Sequence, residues 1–171
     1  VFNIDWPSKG SQGNVARQKQ EYINLLEKLK SAGINTVVIQ VRPESDALYK
    51  SSINPWSRYL TGVQGKNPGY DPLQFVLDES HKRGIKVHAW FNPYRASIYE
   101  NIDSTASNNA INTHRDWVVK YGNKWYYDPG IPEVKDYIVN TVSEVVRNYE
   151  VDGVHFDDYF YPVPAFNVSK S

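Results

Sequence analysis

Along the chain, short runs of β-branched and aromatic residues alternate with longer stretches whose apolar positions recur every three to four residues. That alternation is the pattern of repeated β-α units around a parallel sheet. Strands are predicted over residues 2–6, 35–42, 86–92 and 153–157. The helix predicted over about 15–32 carries Ile23, Leu26 and Leu29 as its apolar stripe and stops at Gly33, which tolerates a left-handed cap. A second helix begins at Asp71-Pro72, in N-cap and N1 order, buries Leu73, Val76 and Leu77, and closes at Gly84. A third starts near Pro132-Glu133 and runs to about Tyr149.

Parallel strands need both faces covered, which leaves an eight-fold barrel or a doubly wound sheet. Long segments follow the strands. Residues 43–70 carry Trp56, Tyr59, Gly62, Gly65 and Pro68-Gly69 without helical periodicity, and a stretch rich in Ser and Asn follows Pro93. Barrel enzymes build their sites from such loops, and the glycine-rich phosphate loop of a dinucleotide-binding sheet is missing. The expected fold class is therefore α/β, of the (β/α)8 TIM-barrel type. A whole barrel takes about 250 residues, so the 171 residues here are expected to form one unit, 1–171, holding about the first four β-α units. The chain opens on Val1, as a trimmed or processed sequence would. Open sheet edges and an uncovered lumen in such a part-barrel predict self-association.

Composition narrows the function. Lys plus Arg and Asp plus Glu number 19 each, so no net field gathers nucleic acid or an anionic surface. No apolar run approaches the length of a membrane span. With no Cys there are no disulfides, thiolate nucleophiles or Cys metal sites. Thirteen Tyr and five Trp supply flat rings that suit sugar stacking as well as core packing.

Side chains alternate across a strand, so the apolar phase identifies the helix-facing side and the other phase points into the barrel. In the fourth strand Val154 and Phe156 face the helices, leaving His155 and Asp157 inward and Asp158 at the exit. In the third, Val87, Ala89 and Phe91 leave His88, Trp90 and Asn92 inward. In the second, Val37, Ile39 and Val41 free Gln40 and Arg42, with Glu44 just beyond, and the first turns Asn3 and Asp5 inward. Unpaired buried carboxylates are costly, so polar groups converging at strand ends argue for a functional cavity. A satisfied polar network competes with that reading, and an ion-pair role competes for Arg42. Trp6, Trp90, Tyr94 and Tyr159, at or past strand ends, offer a stacking floor for sugar rings, with core packing as the rival use.

The runs carrying these residues are Asn3-Ile4-Asp5-Trp6-Pro7-Ser8, Gln40-Val41-Arg42-Pro43-Glu44-Ser45-Asp46-Ala47-Leu48-Tyr49, Pro55-Trp56-Ser57-Arg58-Tyr59-Leu60-Thr61-Gly62, Pro68-Gly69-Tyr70-Asp71-Pro72-Leu73, His88-Ala89-Trp90-Phe91-Asn92-Pro93-Tyr94-Arg95 and the stretch from Val151 to Pro162. Together they span almost the whole chain and resemble the glycoside hydrolase-like family 10 proteins of bacterial cell envelopes. The resemblance implies a (β/α)8 barrel that cleaves glycan strands, some relatives acting as peptidoglycan glycosidases or lytic transglycosylases. It implies a location in the cell envelope or outside the cell, and adds Arg95 to the substrate contacts. The run Asp152-Gly-x-His-x-Asp157 is also similar to the fourth strand of the α-amylase superfamily, whose last Asp is the nucleophile, which favours Asp157 over Asp158.

Glycosidic cleavage needs a protonated carboxyl at the leaving oxygen and an ionised carboxylate near the anomeric carbon. Asp157 is the candidate carboxylate, and Asp158 or Glu44 the acid, unless the acid lies on a later strand. His88, His155, Asn92 and Arg42 would bind sugar hydroxyls. No cofactor and no metal enters this reading. Two rivals stand beside it: a metal-dependent hydrolase or deacetylase using His88, His155, Asp157, Asp158 and Asp5 as ligands, and a non-catalytic glycan-binding part-barrel.

Overall fold

The computed structural model describes Val1 and residues 5–157. In chain order its elements are α1 (Val15–Ser31), β1 (Thr36–Arg42), α2 (Arg58–Thr61), α3 (Pro72–His81), β2 (Lys86–Phe91), β3 (Arg95–Ser97), α4 (Ala110–Thr113), β4 (Val118–Tyr121), β5 (Lys124–Tyr127), α5 (Pro132–Asn148) and β6 (Gly153–His155). Strands β1, β2 and β6 make a parallel sheet in that order. At the other edge of β1, the amino group of Val1 donates to Val38 O, and Gln40 N donates to Val1 O at 3.1 Å. Of the strand expected over residues 2–6, residues 2–4 lie outside those described, and Asp5 and Trp6 form a turn rather than a strand. The sheet stays open among the described residues, as a part of a (β/α) barrel does.

Local chemistry sets the helix limits. Asn14 and Asp71 cap α1 and α3 by accepting from Arg17 N at 3.0 Å and Gln74 N at 3.1 Å. Gly33 and Gly84 take φ of 74° and 71° just past the helix ends. Both helices cover the side of the sheet that carries Val37, Ile39, Val41, Val87, Ala89 and Phe91. The buried line of α1 runs through Gln18, Tyr22 and Leu26 and leaves Ile23 at its margin. Tyr22 takes the centre because it meets partners on two sides, the Trp6 ring at 5.0 Å and Ser80 Oγ of α3 at 2.9 Å.

The first Asp of the Asp152-Gly-x-His motif is part of this scaffold. Its Oδ2 accepts from Val87 N at 2.8 Å and meets His81 Nε2 at 2.8 Å, joining the start of β2, the end of α3 and the entry to β6. Similarly, Glu144 of α5 holds the loop after β1 by accepting from Ser52 N at 2.7 Å and from both hydroxyls of Ser51 and Ser52.

A small antiparallel sheet, ordered β3-β5-β4, packs around Ile111, Tyr127 and Val134 as a second core. It has no counterpart among the strands predicted from the apolar pattern. Its signal is local: Gly122-Asn123 between two aromatic-rich runs is a hairpin turn, and Gly122 takes φ 61° there. On the parallel sheet, Val154 pairs beside Ala89 and the Phe156 ring lies 6.2 Å from Phe91, in the expected phase. Yet Val154 is 37 % and Phe156 44 % exposed.

Replacing Asp152 by Ala leaves a strand N–H without its charged acceptor. The variant is expected to lose about 1–3 kcal/mol of unfolding free energy, read as a lower urea midpoint with unchanged slope. An unaltered midpoint would contradict the tie described here.

Candidate functional site

The inward phase of β2 and β6 forms one wall. His88 pairs with Gly153 and Trp90 with His155, and the Trp90 and His155 rings meet edge to face, 6.0 Å apart and 87° inclined. A Cβ at Gly153 would stand 2.9 Å from the His88 ring, so any side chain there would force that ring to move. Asp157, half-buried, lies two residues beyond His155 at the strand exit. Gln40 pairs beside Trp90; it is buried, and neither amide atom has a hydrogen-bond partner among the described residues. Asp158 and Tyr159 lie outside the described residues.

A register shift changes the phase at the end of β1. Gln40 is opposite Trp90, but Arg42 is opposite Phe91, so one extra residue of β1 is taken up between them. Arg42 accordingly leaves the wall. It is fully buried, donates from Nη1 to the carbonyls of Asn92 at 2.6 Å and Pro93 at 3.2 Å, and lies 5.5 Å from the ring of Tyr137 on α5. Those contacts consume the guanidinium in holding the loop after β2 to α5, where sequence parity expected a substrate contact. Trp6 is also in the core, its Nε1 donating to Gln18 O at 2.8 Å. Asn92 is buried, and its amide oxygen accepts from the Arg95 guanidinium at 3.1 Å. Tyr94 is half-buried against the second core, and Asp5 is exposed.

The loops after the strands bring together groups that the alternation could not predict. Glu44 is 1 % exposed. Its Oε2 accepts from Ile98 N at 3.2 Å, while Oε1 has no partner among the described residues. Asp46 is equally buried, accepts from Gln64 Nε2 at 3.2 Å and leaves Oδ1 without one. Burial, with Asp46 alongside, pushes the Glu44 carboxyl up to about 7, against the pull of Arg58 and Arg95. Burial pushes Asp46 up as well. Arg58 and Tyr59, which feel the charge of both acids, line a cavity of about 460 Å³ together with Lys9, Gln12, Tyr99 and Ser104 among others. Its walls come from the segment before α1 and the loops after β1 and β2, the end of a barrel where active sites form. Asp46, Arg58 and Tyr99 were not singled out by strand parity because none of them sits on a strand: Asp46 and Tyr99 are in bends and Arg58 opens α2. The motif Glu44-Ser-Asp46, two acids just past a strand end, was the available signal.

Chemically, the site offers a proton-holding carboxyl, a half-buried carboxylate at a strand exit and aromatic and imidazole groups between. Among the described residues no three His, Asp or Glu side chains come together to hold a metal ion, and the metal-hydrolase reading gains nothing from the geometry.

The family described as glycosyl hydrolase-like 10 matches residues 1–170. The chain is 53 % identical over 163 residues to a protein of Bacillus subtilis (strain 168) named glycosyl hydrolase YngK, covering 95 % of this chain and 32 % of that one. It is 50 % identical to glycosyl hydrolase DigH of Escherichia coli (strain K12), covering 94 % of this chain and 40 % of the relative. The chain thus spans about a third of the one and two fifths of the other. Among solved structures, a maltogenic α-amylase AmyB from Thermotoga neapolitana superimposes with a TM-score of 0.60 at 17 % identity, over 95 % of this chain and 39 % of that one. The α-galactosidase AgaA from Geobacillus stearothermophilus gives 0.56 at 20 % identity, over 81 % and 19 %. These likenesses establish the barrel fold.

Glu44 binds its proton more tightly in the fold than a free carboxyl does. Its contribution to stability is therefore full below about pH 4 and is lost as pH rises through about 7. Glu44→Gln is expected to remove that loss, so that its stability relative to the unaltered chain improves by on the order of 3 kcal/mol between about pH 5 and 8. Urea midpoints measured across that range check this, and parallel curves for the two proteins would contradict it.

Proposed function

Because this chain belongs to the glycosyl hydrolase-like 10 family, we propose that it takes part in cleaving glycosidic bonds of bacterial polysaccharide, peptidoglycan glycan strands in particular, in the cell envelope. The observation that carries the proposal is the wall of His88, Trp90 and His155 leading to Asp157 at the exit of β6. Two names among its relatives, both glycosyl hydrolases, support it.

In this proposal Asp157 is the ionised carboxylate beside the anomeric carbon. Glu44 lies after β1, at the same end of the parallel sheet, and its raised proton affinity suits it to donate to the leaving glycosidic oxygen. As that proton moves to the oxygen the C–O bond breaks, and positive charge developing at the anomeric carbon faces the Asp157 carboxylate. Trp90 supplies an apolar ring, while His88, His155 and Gln40 offer hydrogen bonds to hydroxyls. Arg95 acts on Glu44 through its charge, and Asn92 holds the Arg95 guanidinium. Asp158, as the alternative acid, and Tyr159, as a further stacking ring, belong to the same proposal.

Purified peptidoglycan, with products identified by mass, tests it. Asp157→Asn is expected to lower turnover by at least roughly 10²-fold while leaving glycan binding in place. Glu44→Gln, which removes the donated proton, is expected to lower turnover at every pH and to remove the fall in rate above about pH 7 from what activity remains. A chain that binds the glycan but releases no product, with or without these substitutions, would make it a binding module and contradict the proposal.

A further inference from the structure

The cavity lined by Arg58 and Tyr59 has a chemistry of its own. Lys9 and Arg58 are charged groups in its wall, and the residues lining it include no acid. Arg58 is fixed, its Cζ standing 4.4 Å from the ring centre of Tyr99. It is nevertheless unsatisfied: Nε and Nη2 are buried without a hydrogen-bond partner among the described residues. A guanidinium carries five donors, and leaving them unmet away from water is costly. The nearest acids do not supply the bonds. Glu44 and Asp46 attract Arg58 through space, but neither comes within ion-pair distance of it, and burial raises the proton affinity of both carboxyls. The wall therefore has a positive balance. Tyr59 and Tyr99 bring aromatic surface to the same space, and Tyr99 remains 43 % exposed despite the arginine on it.

We propose that this cavity is a subsite for a sugar ring carrying a carboxylate, with Arg58 and Lys9 holding the carboxylate and Tyr59 and Tyr99 flanking the ring. A planar guanidinium already stacked in place meets a carboxylate with two parallel hydrogen bonds at little further ordering cost. The cavity volume of about 460 Å³ accommodates one saccharide unit with its substituent. The inference rests on the glycan-cleaving reading and deepens it, because it assigns an acidic unit of the substrate to the loops rather than to the wall around Trp90.

Calorimetric titration with three probes tests it: N-acetylmuramic acid, N-acetylglucosamine, which lacks only the lactyl ether, and lactate alone. The acidic sugar is expected to bind at least roughly tenfold more tightly than the neutral one and than lactate. Arg58→Gln should reduce that preference to near unity, and Lys9→Gln, at an exposed position, should reduce it severalfold without affecting the fold. Equal affinity for the two sugars, or preference unchanged in the Lys9 variant and in a folded Arg58 variant, would overturn the subsite. Lactate binding as tightly as the acidic sugar would overturn its saccharide specificity. Binding is the readout, so Asp157→Asn should keep the preference. A chain that discriminates the probes without hydrolysing glycan would contradict the proposed catalysis and leave this subsite standing.

Discussion

The pairing of β2 with both β1 and β6 is the constraint from which the rest follows. In a parallel ladder a shift of one residue exchanges the two faces of a strand. The observed register puts Val87, Ala89 and Phe91 under α1 and α3 and sends His88 and Trp90 to the opposite wall beside Gly153 and His155. Gly153 and Asp152 protect that register in different ways. One leaves room for the His88 ring, and the other satisfies Val87 N while gripping His81. The single irregularity, at the end of β1, diverts Arg42 from the wall into a structural role between Pro93 and Tyr137.

The loops after the strands work under a different rule. They bury Glu44, Asp46 and Asn109 where water cannot reach, so backbone and amide groups must replace hydration. Asn109 meets that demand through Ser45 O and Gln64 Oε1. Glu44 and Asp46 meet it in part, and the remainder appears as a raised affinity for protons. The same incompleteness that costs stability leaves Glu44 holding its proton and Arg58, in the wall of a cavity, with donors unspent. Farther along the same loop, Glu144 holds Ser51 and Ser52, and the Tyr149 hydroxyl meets Asp71 at 2.6 Å, tying the loop to the helices.

The repeating part of the fold was legible because it is periodic. Helix caps at Asp71-Pro72, Gly33 and Gly84, and strands near 36–42, 86–91 and 153–155, all follow from local propensity and alternation. The wall of His88, Trp90 and His155 was legible for the same reason. What escaped is aperiodic: the β1 irregularity that redirects Arg42, the packing choice that puts Trp6 on Tyr22, and the loop contacts that join Glu44 to Ile98 and Arg58 to Tyr99. Such contacts depend on chain segments far apart in sequence, and no spacing rule encodes them. Family membership, carried by motifs across the chain, reached further than periodicity into function.

In this reading a glycan meets the His88, Trp90 and His155 face of the sheet. Nuclear magnetic resonance of the labelled chain, titrated with a soluble glycan fragment, tests this most directly. The account predicts that the Trp90 indole and the His88 and His155 ring signals shift on binding, while the methyl signals of Val87 and Ala89 stay in place. Shifts concentrated on Val154, Phe156 and the α5 surface, with the Trp90 indole unmoved, would contradict it.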